Sequence, residues 1–205
     1  MRILCSVMLV GGLLAAVAAR EAAGDDTRFS GADQEFLKQA PAILQYARAK
    51  GYRNVGVLKF RIAKGEGPVS DSVGTLNTFL ADRLQVALLL ANPLKADQQI
   101  GVIDNASAIA AGVVGANHVT AEGRQQLFST EYPLAWGTEH VTPDAFFTGD
   151  VQVSADLKEM TIQILACDRN SESLEPAIPA FTTPMAASQL PELGESFTLR
   201  GTFAV

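Results

Sequence analysis

Few side chains in this sequence stand where catalysis or metal binding would need them. It holds two histidines, His118 and His140, and each is followed four residues later by a carboxylate, Glu122 and Asp144. Residues four apart share a helix face, so two such pairs would supply the imidazole and carboxylate donors of a metal site. Pro143 breaks any helix under the second pair and removes its shared face. The histidines therefore read as surface or loop-packing residues, and no metal is expected. Ser107, in the run DNASA, would be a hydrolase nucleophile with His118 or His140 as its base. The run is not G-x-S-x-G, and no oxyanion-hole glycines flank it. Cys167 falls inside a β-patterned run with no cation to stabilise a thiolate, and reads as a small buried apolar residue. KGEGPVSDS, residues 64–72, has the strand-to-helix position of a phosphate cradle. It lacks the order of a P-loop, and Glu66 and Asp71 would repel an anion, so a flexible connection is expected. No catalytic residue and no cofactor is expected. The sequence points to a non-enzymatic chain, and the alternative is a small-ligand binder or hydrolase using His118 and nearby acids.

One stretch carries binding chemistry instead. Residues 131–140 gather Tyr132, Pro133, Leu134 and Trp136, an aromatic and apolar set suited to contact with a protein partner. The competing outcome is a loop folded onto its own domain with Trp136 as the anchor.

The elements that would position these residues follow from periodicity. A helix is expected from Pro41 to Lys50, with Pro in its first turn, Arg48 and Lys50 at its negative end and Gly51 beyond it. Residues 54–62 read as a strand, and a long apolar helix follows Ser70 and Asp71, running to Ala91 before Asn92-Pro93 stops it. The C-terminal half of that helix is nearly all apolar and is expected to be central to the core. Residues 100–104 form a short strand, residues 106–114 a small-residue helix, and Thr120 caps a helix over residues 121–130. From residue 146 the period changes to two, and two runs joined by residues 154–158 predict an antiparallel hairpin. Residues 174–181 and 197–203 would add strands, with a short helix near residues 185–190. The fold class is α/β (α+β in detail): a mixed sheet ending in antiparallel hairpins, with the long helix packed on one face.

The 205 residues are 48% hydrophobic and 19% charged, enough for one domain with a sizeable core. A formal charge of −6 disfavours nucleic acid and anionic lipid as partners, since no basic patch is expected to displace counterions. Met1-Arg2, the apolar residues 3–17 and Ala16, Ala18 and Ala19 match a cleavable signal peptide over residues 1–19. A flexible leader over residues 20–32 and one domain over residues 33–205 would follow. The mature chain is then exported, periplasmic or secreted, without a transmembrane span. Cys5 precedes the apolar run, so a lipoprotein is not expected, and Cys167 alone leaves no internal disulfide.

The strand VGVLKF, the helix TLNTFLADRLQVAL, the strand IGVID and the hairpin opening FFTGDVQV together resemble the CsgG, LpoB, FlgO and TolB N-terminal group of exported α/β domains. The resemblance spans most of residues 50–169. It implies an accessory domain of the cell envelope that binds an envelope or secreted protein through a sheet edge or the aromatic loop. Two departures stand out. Many members of the group are lipoproteins, and the insertion over residues 122–144 is outside the shared pattern.

Overall fold

The structure is a computed structural model, and residues 31–194 are described. The expected signal peptide, most of the expected leader and the strand expected at residues 197–203 lie outside the described residues. The first helix, α1 (Gly31–Lys50), starts well before the expected Pro41 and carries that proline inside it. Pro41 removes one N–H on the solvent side, while Ala32, Phe36, Ala40, Ile43, Leu44 and Ala47 are all buried on the other. Packing of that face outweighs one lost hydrogen bond. Gly31 and Ala32, assigned by sequence to the leader, belong to this helix.

The expected strand over residues 54–62 is two strands, β1 (Asn54–Val57) and β2 (Arg61–Lys64). Both lie parallel to the later strand β6 (Ala145–Val153). Val57 is opposite Phe147 and Arg61 is opposite Asp150, so Leu58, Lys59 and Phe60 face only Thr148 and Gly149. One extra residue makes this a bulge, and it reverses which side of the sheet each later side chain faces. Val55 and Val57 lie in one core, Leu58 in the other, and Phe60 and Ile62 return to the first. Gly149 has no side chain because a Cβ there would lie 2.5 Å from the Phe60 ring.

Asn77 holds the bulge open. Its Nδ2 donates to the Phe60 carbonyl at 2.6 Å and the Ser70 carbonyl at 3.0 Å. Its Oδ1 accepts from the Val73 and Gly74 amides at 2.9 and 3.1 Å, and its own carbonyl accepts from Phe60 N. The helix α2 therefore runs from Leu76 to Ala91, not from Ser70. Ser70 instead pairs with Ile62 through two backbone bonds of 2.7 and 2.9 Å. Leu76, Leu80, Leu84, Ala87 and Leu88 are buried as expected, but Val86 and Leu90 are 45% and 66% exposed. The C-terminal half of α2 is thus one-sided, because α1 and the sheet cover only one face of it.

Next come β3 (Gly101–Val102), α3 (Ala106–Gly112), and α4 (Ala121–Ser129), where the Thr120 side chain accepts from Gly123 N as a cap. A two-stranded ribbon, β4 (Tyr132–Pro133) and β5 (His140–Val141), leads into β6 and its antiparallel partner β7 (Glu159–Asp168). The strands β8 (Glu175–Pro176) and β9 (Phe181–Pro184) both pair with β7, and a 3-10 helix spans Ala187–Glu192. The main sheet runs β3, β1 with β2, β6, β7, then β8 with β9. It is parallel through β6 and antiparallel beyond. The helices α1 and α2 enclose the larger core on one face, while α3 and α4 cover part of the other.

Asn77→Ala removes four side-chain hydrogen bonds and leaves buried backbone groups unpaired, so unfolding free energy should fall by about 3 kcal/mol. Urea denaturation measures this, and a loss below about 1 kcal/mol would show that the bulge does not depend on Asn77.

Candidate functional site

The bulge turns Lys59 toward Asp71, and the two form an ion pair at 2.9 Å with side chains 40% and 36% exposed. Beside them Arg61 grips Asp150 with two bonds, Nε to Oδ1 at 2.6 Å and Nη2 to Oδ2 at 2.7 Å. His118 comes from the turn before α4. Asn117 shapes that turn, its Oδ1 accepting from Val119 N and Thr120 N at 3.0 and 2.8 Å. Arg124, itself buried, donates to the His118 and Val119 carbonyls and to the Glu172 carbonyl, tying the turn to the far side of the hairpin.

These parts enclose a cavity of about 90 Å³ lined by Leu58, Lys59, Asp71, Ser107, His118 and Leu127, with small residues of α3 completing the wall. His118 is 3% exposed, and its Nε2 has no hydrogen-bond partner. Burial, and then the nearby Arg61 charge, push its pKa down to about 4, so the imidazole is neutral at pH 7. Lys59 also disfavours the imidazolium, while Asp71 and Asp150 favour it.

Ser107 and His118 line the same cavity, but no hydrogen bond joins them. Ser107 Oγ donates to the Val57 carbonyl at 3.1 Å, so its proton is directed away from the imidazole. The nucleophile-to-base contact of a hydrolase is not formed. The metal-type pairs are also separated. Glu122 is exposed while His118 is buried, and His140 is exposed on β5. Asp144 Oδ2 accepts from Arg53 N and Asn54 N at 2.8 and 2.9 Å, which fastens the start of β1. Cys167 is 1% exposed, and burial pushes its thiol up to about 11.

Of the residues expected to meet a partner, Tyr132 is corrected: it is fully buried, with its ring 5.6 Å from Phe146 at 73°. The backbone around Pro133 and Leu134 covers the outer edge of β3, through Asp104 N to the Pro133 carbonyl and Ala135 N to the Val102 carbonyl. Leu134 packs on Gly101, and only Trp136 remains substantially exposed, at 39%. Sequence reasoning missed Val86, Leu90 and Leu94, which are 45%, 66% and 97% exposed. Asn92 ties the loop bearing Leu94 to Ile100 with bonds of 2.7 and 3.1 Å, so Leu94 and Leu134 flank the same start of β3. The signal was available: α2 is apolar over more of its circumference than one covered face can bury. The opposite sheet edge carries Pro176, Pro179 and Pro184, which blunt strand addition there.

No family model matches the chain, and no curated protein sequence matches it. Among solved structures it is similar to the LpoB C-terminal domain from Salmonella enterica, with a TM-score of 0.43 and 9% identity over 72% of this chain and 94% of that one. It is also similar to the NMR structure of E. coli LpoB, with a TM-score of 0.37 and 7% identity over 90% of this chain and 83% of that one. CsgG, FlgO and TolB gain no support from these two structures. Likeness at this level carries no weight for function.

His118 makes stability depend on pH. Its folded pKa of about 4 lies below the usual 6.5, so between those values the unfolded chain binds more protons. The associated stability is present above pH 6.5 and is lost as pH falls toward 4, about 3 kcal/mol in all. Denaturation midpoints of His118→Gln should fall less steeply over that range than those of the unsubstituted chain. Equal slopes would mean that the imidazole is not held neutral.

Proposed function

We propose that the chain is an exported, non-enzymatic accessory module of the cell envelope that engages a protein partner through apolar side chains exposed on α2 and in the loop that follows it. The observation that carries this reading is the row Val86, Leu90 and Leu94, exposed by 45%, 66% and 97%. A monomer gains nothing from holding large apolar groups of α2 and its following loop in water, whereas a partner that covers them gains about 2 kcal/mol for each leucine. Both routes to strand addition are obstructed, one by the backbone of residues 133–135 and the other by prolines, so contact falls to side chains. Of the expected aromatic loop, Trp136 stays exposed, at 39%, and is tested beside this surface. The unmade contact between Ser107 and His118 weighs against the hydrolase alternative.

The test is capture by chemical crosslinking in envelope fractions, comparing the unsubstituted chain with Leu90→Glu/Leu94→Glu and with Trp136→Ala. The double variant should lose about a hundredfold or more in affinity for its partner, because two apolar contacts are replaced by charges. Its unfolding free energy should stay within about 0.5 kcal/mol, since both sites are exposed. Undiminished capture by the double variant would refute this surface.

A further inference from the structure

The cavity beside His118 is separate from the apolar row on α2 and has a different chemistry. Its walls divide into an apolar part from Leu58, Leu127 and nearby alanines and a polar part from Lys59, Asp71, Ser107, His118 and Asn117, the last already engaged with the backbone of its own turn. His118 Nε2 is buried without a partner in the protein. A buried polar atom is costly to leave unpaired, so an orphan on a cavity wall points to a partner from outside the chain. The volume of about 90 Å³ takes roughly six heavy atoms, each filling about one probe sphere.

Charge then restricts what the guest can be. Lys59 and Arg61 balance Asp71 and Asp150, and His118 adds no charge at neutral pH. A lone anion would satisfy Lys59 but strand Asp71, and a lone cation would do the reverse. A guest bearing both charges satisfies the two together. The pairs differ in how easily they open. Arg61 and Asp150 are joined by two short bonds with side chains 19% and 32% exposed, whereas Lys59 and Asp71 share one contact and are more exposed. An exposed single-contact pair is weak and is the one a ligand can replace.

We propose that this cavity binds a small zwitterion, a free amino acid with a short apolar side chain. Its carboxylate takes Lys59 and its ammonium takes Asp71, which replaces the ion pair. The side chain lies against Leu58 and Leu127, and a polar atom of the guest meets His118 Nε2. A long or charged side chain is excluded by the volume and the alanine wall.

The experiment is a titration of the full chain with alanine, followed by nitrogen-15 NMR of the imidazoles. His118 and His140 are the two histidines, and the His118→Gln spectrum assigns them. Alanine should shift the His118 signal saturably with a Kd in about the millimolar range, while the exposed His140 signal stays still. Acetate and ethylamine, which each carry one charge, should produce at least about tenfold weaker binding. Lys59→Met and Asp71→Asn should each weaken alanine binding about tenfold, with Lys158→Met, from the Asp156 pair at the hairpin turn, as the control. The proposal is overturned if alanine at about tenfold above that range moves nothing, or if acetate binds as well as alanine. It is also overturned if both variants bind alanine undiminished. An unchanged circular dichroism spectrum and urea midpoint in each variant show that the fold is intact.

Discussion

The bulge held by Asn77 governs much of the rest. A parallel strand pairing admits one extra residue only if the freed backbone groups find other partners. Thr148 Oγ1 donates to the Lys59 carbonyl, the Asn77 side chain to the Phe60 carbonyl, and Phe60 N to the Asn77 main-chain carbonyl, while the Asn77 side chain also holds Ser70, Val73 and Gly74. The same side chain thereby delays the start of α2, fixes the return of Ser70 against β2 and keeps Phe60 in the core of α1 and α2. Because the insertion shifts the strand by one residue, Leu58 packs under α3 and α4 while its neighbours face the opposite way. It also leaves Lys59 pointing out to Asp71. One amide thus sets both the packing of two cores and the charges at the cavity mouth.

Much of the architecture is legible in the sequence, and the failures have physical causes. The hairpin is legible because its alternation is uninterrupted, and Thr120 because a cap is a local interaction. The bulge is hidden, since Leu58 is apolar and a one-residue slip from Val57 to Phe60 still leaves large apolar residues on both faces. Ser70 and Asp71 have good capping chemistry, but Asn77 outcompetes them for the amides just ahead of α2. Pro41 misleads because a helix break is a local tendency, whereas Phe36 and Ile43 are buried by contacts distant in the chain. For the site, side-chain type singled out His118, but its surroundings could not be read. Arg61 and Asp150 lie 89 residues apart, and such pairing is decided by the sheet register. Tyr132 and Trp136 show the same limit: aromatics four residues apart, one fully buried and one 39% exposed.

The two surfaces differ in what holds them ready. Val86 and Leu90 are held by the regular geometry of α2 and Leu94 by the loop that Asn92 ties to Ile100, so their apolar area is presented without rearrangement. The cavity is kept open by polar constraint, with Asn117 and Arg124 fixing the turn that carries His118. Burial keeps that imidazole neutral, which lowers the cost of enclosing it and leaves it able to donate or accept.

Cys167 sits in the middle of β7 with 1% of its surface exposed and a thiol that ionises only near 11. Such a sulfur is silent to oxidants and alkylating reagents in the native state, and becomes reactive only while β7 is detached from β6. Its labelling rate is consequently a clock for opening of the sheet. Folding itself acts as the protecting group for the thiol.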